Sequence, residues 1–81
     1  MRHRSRWIDY VLGRGITTQG RIESLGADYT RLGSVPFVRF TYQVAGRTYR
    51  SRFCYHARSY EPGQSVTVLY DDRNPKRALL V

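Results

Sequence analysis

The sequence predicts a small all-β domain with five short antiparallel strands. A chain of 81 residues is long enough for one small core. Its hydrophobic content of 41% and aromatic content of 14% are typical of a folded protein, and tyrosine and phenylalanine favour strands. Segments of alternating polar and apolar residues are separated by glycine and proline, which is the pattern of a sheet built from short strands.

The start of the chain is predicted to be a basic arm followed by a short helical turn. Residues 1–6 carry an arginine at every second position, and residues 7–12 have helical spacing. One side of that turn would be formed by Trp7, Tyr10 and Val11. Gly13 and Gly15 are expected to end it. The chain therefore divides into an arm with a helical turn over residues 1–13 and a single β domain over residues 14–81.

The first strand is predicted from Ile16 to Ser24, where side chains alternate between two faces. Gly20 in the middle of this strand indicates a bulge or a close approach of another backbone. Residues 25–35 are expected to form a connection, because Gly26 and Gly33 punctuate them.

The second and third strands form a hairpin around a turn at Ala45 and Gly46. On the inner face lie Val38, Phe40, Tyr42, Val44, Tyr49, Ser51 and Phe53. A two-residue turn sets the pairing as Val44 with Arg47, Tyr42 with Tyr49, Phe40 with Ser51, Val38 with Phe53, Thr41 with Arg50, Arg39 with Arg52 and Phe37 with Cys54.

The remainder of the domain is predicted to hold a loop and two more strands. Residues 55–64 form the loop, which ends in a tight turn with Pro62 at its second position. Residues 65–70 form the fourth strand and residues 77–81 the fifth, separated by a turn over residues 71–75. Five such strands favour a small closed or half-closed barrel of SH3-like or OB-like type, which would leave no exposed sheet edges.

Two stretches of the chain carry a pattern with moderately specific spacing. The first is Gly20-Arg21-Ile22 followed by Val38-x-Phe40-x-Tyr42-x-Val44-x-Gly46-x-x-Tyr49. The second is Tyr60-x-x-Gly63-Gln64-x-Val66-x-Val68-x-Tyr70-Asp71, then Asn74-Pro75 and Leu79-Leu80. By this pattern the chain resembles the bacterial domain-of-unknown-function family 3592 over most of its length, residues 14–80.

The resemblance implies a β domain with which no enzymatic activity is associated. Members of the family commonly carry membrane helices beside this domain. The present sequence departs from that arrangement, because no apolar run approaches the ~20 residues that a membrane helix needs. It also has Asp72 where the family usually has proline after the Tyr-Asp pair, which changes only a turn.

The sequence offers little for catalysis or for metal binding. Asp71 and Asp72 are adjacent and fit turn chemistry better than a glycosidase-like carboxylate pair. Cys54 and His56 could form a thiolate–imidazole pair or half a metal site, but a structural metal needs about four ligands. Cys54 has no second cysteine with which to form an intramolecular disulfide. We therefore expect no catalytic residues, metal, cofactor or small-molecule substrate.

The candidate binding surface is the outer face of the hairpin. We call it the arginine face, and its members are Arg39, Arg50, Arg52 and Phe37. Arg21 of the first strand and the basic arm over residues 1–6 are candidate extensions of it. The predicted register places Arg39 opposite Arg52, and like charges in that arrangement repel each other. An external anion would relieve the repulsion. The alternative is that these arginines are solvated or paired with Glu23, Glu61 or a neighbouring strand.

The net charge of +8 favours acidic binding partners. All basic residues except Lys76 are arginines, which can bind carboxylates and phosphates through two hydrogen bonds at once. The first hypothesis is a non-enzymatic module that binds an acidic protein or a membrane-associated assembly. The second is sequence-tolerant binding of RNA or single-stranded DNA by arginines and an exposed aromatic ring. The expected location is the cytoplasm, with membrane association through a partner as the alternative.

Overall fold

The computed structural model describes residues 6–55 and 59–81, which form one helix and five strands. In chain order they are α1 (Arg6–Arg14), β1 (Ile16–Thr30), β2 (Gly33–Val44), β3 (Arg47–Cys54), β4 (Ser65–Asp71) and β5 (Asn74–Leu80). The strands make a single antiparallel sheet in the order β3-β2-β1-β4-β5. The predicted all-β, five-stranded, antiparallel fold class is confirmed.

The sheet curls but does not close into a barrel. Its two outermost strands, β3 and β5, have Cα atoms within 8 Å of each other. They do not pair through backbone hydrogen bonds in the described part of the chain. The architecture is therefore a curled open sheet, in which the inner face holds the core and two strand edges remain.

The β2–β3 hairpin has the predicted turn and the predicted register. Ala45 and Gly46 both have positive φ angles, 52° and 80°, as a two-residue turn of type I′ requires. Every predicted pair is present, from Val44 with Arg47 at the turn to Phe37 with Cys54 at the other end. The prediction is confirmed because a tight turn and one apolar face together allow only one alignment of the two strands.

The connection predicted over residues 25–35 is wrong, because β1 continues to Thr30 and β2 begins at Gly33. A bulge between Ile22 and Ser24 shifts the alternation of faces within β1. The alternation in the second half of β1 is therefore out of phase with the alternation in its first half. Residues 25–36 form a two-stranded extension that we call the distal arm. At the other end of the domain, β5 also begins earlier than predicted.

The core lies on the inner face of the sheet. Its buried members are Ile22, Val38, Phe40, Tyr42, Tyr60, Val68, Ala78 and Leu80. Gly20 allows the strands on either side of β1 to come close, since a Cβ atom built there would lie 2.5 Å from Val68 Cγ2 and 2.9 Å from the Thr41 carbonyl oxygen. The close approach predicted at Gly20 is confirmed, and the bulge lies three residues later, at Glu23.

The helix covers one half of the outer face. Val11 is completely buried, and α1 packs on β4 and β5. Gly15 ends the helix by donating a backbone hydrogen bond to Val11 at 2.8 Å. A Cβ atom at Gly15 would lie 2.8 Å from Leu69 Cγ, so only glycine lets the chain pass from α1 into β1 here. The outer face of β2 and β3 remains uncovered by the helix.

Candidate functional site

The arginine face is positioned by the register of β2 and β3. Arg39 pairs with Arg52 and Thr41 pairs with Arg50, so alternation sends all three arginine side chains outwards. All three arginines are exposed. Together with Ser51 they line a shallow depression of about 320 Å³. The structure thus brings the three arginines together in one place.

Two of the three arginines reach carboxylates on β1. Arg50 forms an ion pair with Glu23 at 2.9 Å, and its side chain remains 65% exposed. Arg52 forms an ion pair with Asp28. Both side chains cross over β2 to make these contacts, because β2 lies between β1 and β3. The sequence-based alternative of pairing with Glu23 is therefore present for Arg50, while the Asp28 contact was not predicted.

Phe37 lies beneath the arginines instead of being exposed. It is only 7% exposed. The guanidinium carbon of Arg52 lies 4.2 Å from the centre of the Phe37 ring, and that of Arg39 lies 5.3 Å from it. Gly26 makes room for the ring on the β1 side, since a Cβ atom there would come within 2.5 Å of Phe37 Cζ. The prediction of an exposed aromatic surface at this position is wrong, because two cations and the backbone of β1 cover the ring.

Arg39 differs from its two neighbours in its electrostatic surroundings. Among the described residues it makes a cation–π contact with Phe37 and has no carboxylate partner. Arg21, predicted as an extension of the face, donates a hydrogen bond to the Gly63 carbonyl oxygen at 3.1 Å. That bond goes to a neutral oxygen, so the positive charge of Arg21 has no carboxylate partner among the described residues. Glu23 and Asp28 each compensate one arginine, and within the same residues the charges of Arg39 and Arg21 remain uncompensated.

A second charged cluster lies on the other half of the outer face. Asp71 is fully buried and accepts hydrogen bonds from the Arg73 side chain and backbone at 2.8–3.0 Å. These bonds hold the pKa of the Asp71 carboxyl below its usual value. The Arg73 guanidinium stacks 3.4 Å from the centre of the Tyr10 ring, and the Tyr10 hydroxyl donates to Asp72 at 2.8 Å. The cluster fixes α1 to the β4–β5 turn, so we regard it as structural.

The other sequence candidates do not form a site within the described residues. Cys54 is exposed, and its suggested partner His56 lies outside the described part of the chain. Arg2 and Arg4 of the basic arm also lie outside it. No group of three potential metal ligands occurs in residues 6–55 and 59–81. Asp71 and Asp72 serve the turn and the helix contact, as the turn prediction implies.

Comparison with known families gives a match over the β domain. The sequence profile of the family described as "Domain of unknown function (DUF3592)" matches residues 15–81, which include all five strands. The chain belongs to this family. The resemblance predicted from the alternating aromatic pattern is thereby confirmed, and the DUF3592 match begins where the β domain begins, immediately after α1.

The DUF3592 assignment describes the family without defining an activity. No curated protein and no solved structure matches the chain. Within the part of the chain that the structure describes, no helix is long and apolar enough to cross a membrane.

Proposed function

We propose that this DUF3592 domain is a non-enzymatic binding module that receives an acidic segment of a partner protein on the arginine face. The observation that carries the proposal is the arrangement of Arg39 and Arg52 around Phe37. Both guanidinium groups contact one buried ring, so the ring limits their freedom before a partner arrives. A carboxylate bound there would receive charge-assisted hydrogen bonds from side chains that are already positioned.

The existing ion pairs do not prevent a partner from binding. The Arg50 and Glu23 side chains are 65% and 37% exposed, and those of Arg52 and Asp28 are 46% and 48% exposed. Ion pairs this exposed contribute only about 0–1 kcal/mol each, because water screens them. A partner carboxylate can therefore share or replace them at little cost. Arg39 has no carboxylate to displace among the described residues.

The covered ring favours a protein partner over a single-stranded nucleic acid. Base stacking on aromatic rings contributes about 1–3 kcal/mol per base in single-strand binders. Phe37 is not accessible for stacking, because Arg39 and Arg52 lie over it. A nucleic acid would retain only phosphate contacts at this surface. An acidic peptide binds through its carboxylates and needs no exposed aromatic ring, so the covering of Phe37 does not weaken its binding.

The test compares Arg39→Glu with Arg47→Glu. Both arginines are exposed on the same hairpin, and each substitution changes the charge equally. Arg47 lies beside the turn, opposite Val44, and outside the arginine face. We expect Arg39→Glu to weaken binding of a fluorescent Glu/Asp-rich peptide at least ~10-fold, measured by anisotropy at low salt. Arg47→Glu should weaken it by no more than ~3-fold, through the change in net charge alone.

A labelled single-stranded DNA of mixed sequence serves as the competing ligand. Equal losses of peptide binding in the two variants would show that attraction is general to the basic surface, and the proposed site would then be wrong. DNA binding that exceeds peptide binding, falls steeply with salt and is lost in Arg39→Glu would replace the protein partner with a nucleic acid.

A further inference from the structure

Within residues 6–55 and 59–81, the β1 edge of the distal arm has no neighbouring strand. Pairing between β1 and β4 ends at Arg21. Ile22 still exchanges backbone hydrogen bonds with Gly63 and Gln64, at 2.8 and 2.9 Å. Beyond it, no described residue bonds to the β1 backbone on that side, as far as Thr30. This open edge resembles those on which a further strand can add.

Exposed apolar side chains lie along the open edge. Leu25 and Tyr29 are 45% and 84% exposed, although both belong to a strand. They lie four residues apart and therefore project from the same face of β1. Leu32, at the end of the distal arm, is fully exposed. Large exposed apolar residues beside unpaired backbone indicate a surface that another strand covers.

We propose that a second copy of this chain pairs with the open edge, antiparallel and across a twofold axis at Ala27. An isologous contact of this kind uses the same edge of both copies. It places each Leu25 opposite Tyr29 of the other copy. The remaining pairs are Ser24 with Thr30 and Gly26 with Asp28.

Charge repulsion and the length of the unpaired edge favour this register over the registers centred on Asp28 and Gly26. An axis at Asp28 would place two Asp28 carboxylates opposite each other, which is unfavourable. An axis at Gly26 would separate Leu25 from Tyr29 and place Glu23 opposite Tyr29. With the axis at Ala27, Thr30 of each copy ends opposite Ser24, just before Ile22 bonds to the neighbouring loop. The turn that follows places Arg31 near Glu23 of the other copy.

A second copy fits the edge better than a lipid surface does. The unpaired N–H and C=O groups of the edge require backbone partners, which another strand supplies and hydrocarbon does not. The apolar contact is small, so we expect a dimer that dissociates on dilution. The arginine face remains free, because it lies on β2 and β3 away from this edge.

Sedimentation equilibrium over a range of protein concentrations tests the proposal. The intact chain should approach twice its mass of 9.5 kDa. Leu25→Glu and Tyr29→Arg should each raise the dimer dissociation constant at least ~10-fold, because each leaves an unpaired charge opposite an apolar residue. The double variant should recover the dimer, since each new carboxylate then lies opposite a new guanidinium. That recovery is specific to the register centred on Ala27.

Leu32→Arg is the matched control. It replaces a fully exposed apolar residue of the distal arm with a charge, but outside the paired span, and should leave the dimer intact. Far-UV circular dichroism confirms that each variant keeps its sheet. A chain that stays monomeric at high micromolar concentration overturns the proposal, and so does a double variant that fails to recover. If the chain is monomeric and binds anionic vesicles through Tyr29, the edge contacts a lipid surface and not a second copy.

Discussion

Gly20 is a residue at which one additional carbon atom affects three strands. A Cβ atom there would lie 2.5 Å from Val68 Cγ2 and 2.9 Å from the Thr41 carbonyl oxygen. The backbone contact cannot be relieved by rotating a side chain. We therefore expect Gly20→Ala to lower the free energy of unfolding by about 1–3 kcal/mol, the usual cost of overpacking a core. Urea denaturation followed by circular dichroism measures this difference.

Gly13→Ala is the matched control for the Gly20 substitution. Gly13 lies within α1, and a Cβ atom built there meets nothing within 4 Å. Alanine in a helix is more stable than glycine by about 0.5–1 kcal/mol, so this variant should gain stability. Equal effects at the two glycines would contradict the close approach of strands at Gly20.

Tyr42 joins the two sides of the core through its hydroxyl group. The hydroxyl donates a hydrogen bond to the Pro75 carbonyl oxygen at 2.5 Å. Burial, and secondarily the nearby Tyr49, raises the pKa of Tyr42 from 10.0 to about 12. Its contribution to stability is therefore complete below pH 10 and disappears as the pH rises towards 12.

Tyr42→Phe should lower the free energy of unfolding by about 1 kcal/mol at neutral pH, because the hydrogen bond to Pro75 is lost. The variant should also lose less stability than the parent chain between pH 10 and 12. Urea denaturation at pH 8 and pH 11 measures both effects. Tyr29→Phe, at a residue that is 84% exposed, should behave like the parent. If Tyr42→Phe loses as much stability as the parent at high pH, the raised pKa is not the cause.

At the level of the elements, the hairpin β2–β3 was predictable and the long strand β1 was not. The apolar face of the hairpin and the two-residue turn at Ala45 and Gly46 determine its pairing locally. The bulge between Ile22 and Ser24 depends instead on how β1 fits both of its neighbours. Beyond it, pairing with β2 holds the distal arm, whose large apolar residues Leu25, Tyr29 and Leu32 are exposed. No buried face therefore marks this part of β1 as a strand in the sequence.

The candidate site was predictable to the same extent. Alternation along the hairpin places Arg39, Arg50 and Arg52 on one face, and the structure agrees. The contacts of Arg50 with Glu23 and of Arg52 with Asp28 join strands that are separated by β2. Such contacts require the register of β1, which the sequence alone does not supply. The covering of Phe37 could not be predicted for the same reason.

The attachment of α1 to the β4–β5 turn depends on the buried carboxylate of Asp71. Hydrogen bonds from Arg73 keep the pKa of this carboxyl below its usual 3.8. The resulting stability is present above pH 3.8 and is lost as the pH falls through the lowered value. Asp71→Asn should destabilise the chain at pH 7, because it removes the charge that Arg73 faces and leaves buried polar atoms poorly satisfied.

Thermal melting at pH 7 and below pH 4 measures the effect of Asp71→Asn. The variant should melt at a lower temperature at pH 7 and should approach the parent in acid, where the parent also loses its carboxylate. Asp72→Asn is the control, since Asp72 is exposed and can still accept the Tyr10 hydrogen bond as an amide. A constant difference between Asp71→Asn and the parent at all pH values would contradict the assigned cause.

In the whole molecule, the arginine face lies on the half of the outer sheet face that the helix does not cover. The helix occupies the outer face over β4 and β5, and the arginine face occupies β2 and β3. The chain has fourteen basic and six acidic residues. Three ion pairs within the described residues compensate three arginines, and each of these pairs includes an exposed arginine. Repulsion among the remaining positive charges therefore opposes folding across the entire molecule.

Salt should consequently stabilise this protein. Raising the ionic strength to 0.15 M shortens the screening length to about 8 Å, which weakens long-range repulsion more than the short ion pairs. We expect the melting temperature to rise between very low salt and 0.15 M NaCl. Arg47→Glu lowers the net charge by two, from +8 to +6, without removing any of those ion pairs. Its melting temperature should therefore rise less with salt. A melting temperature that falls with added salt would mean that the local ion pairs, and not net repulsion, control the stability of the domain.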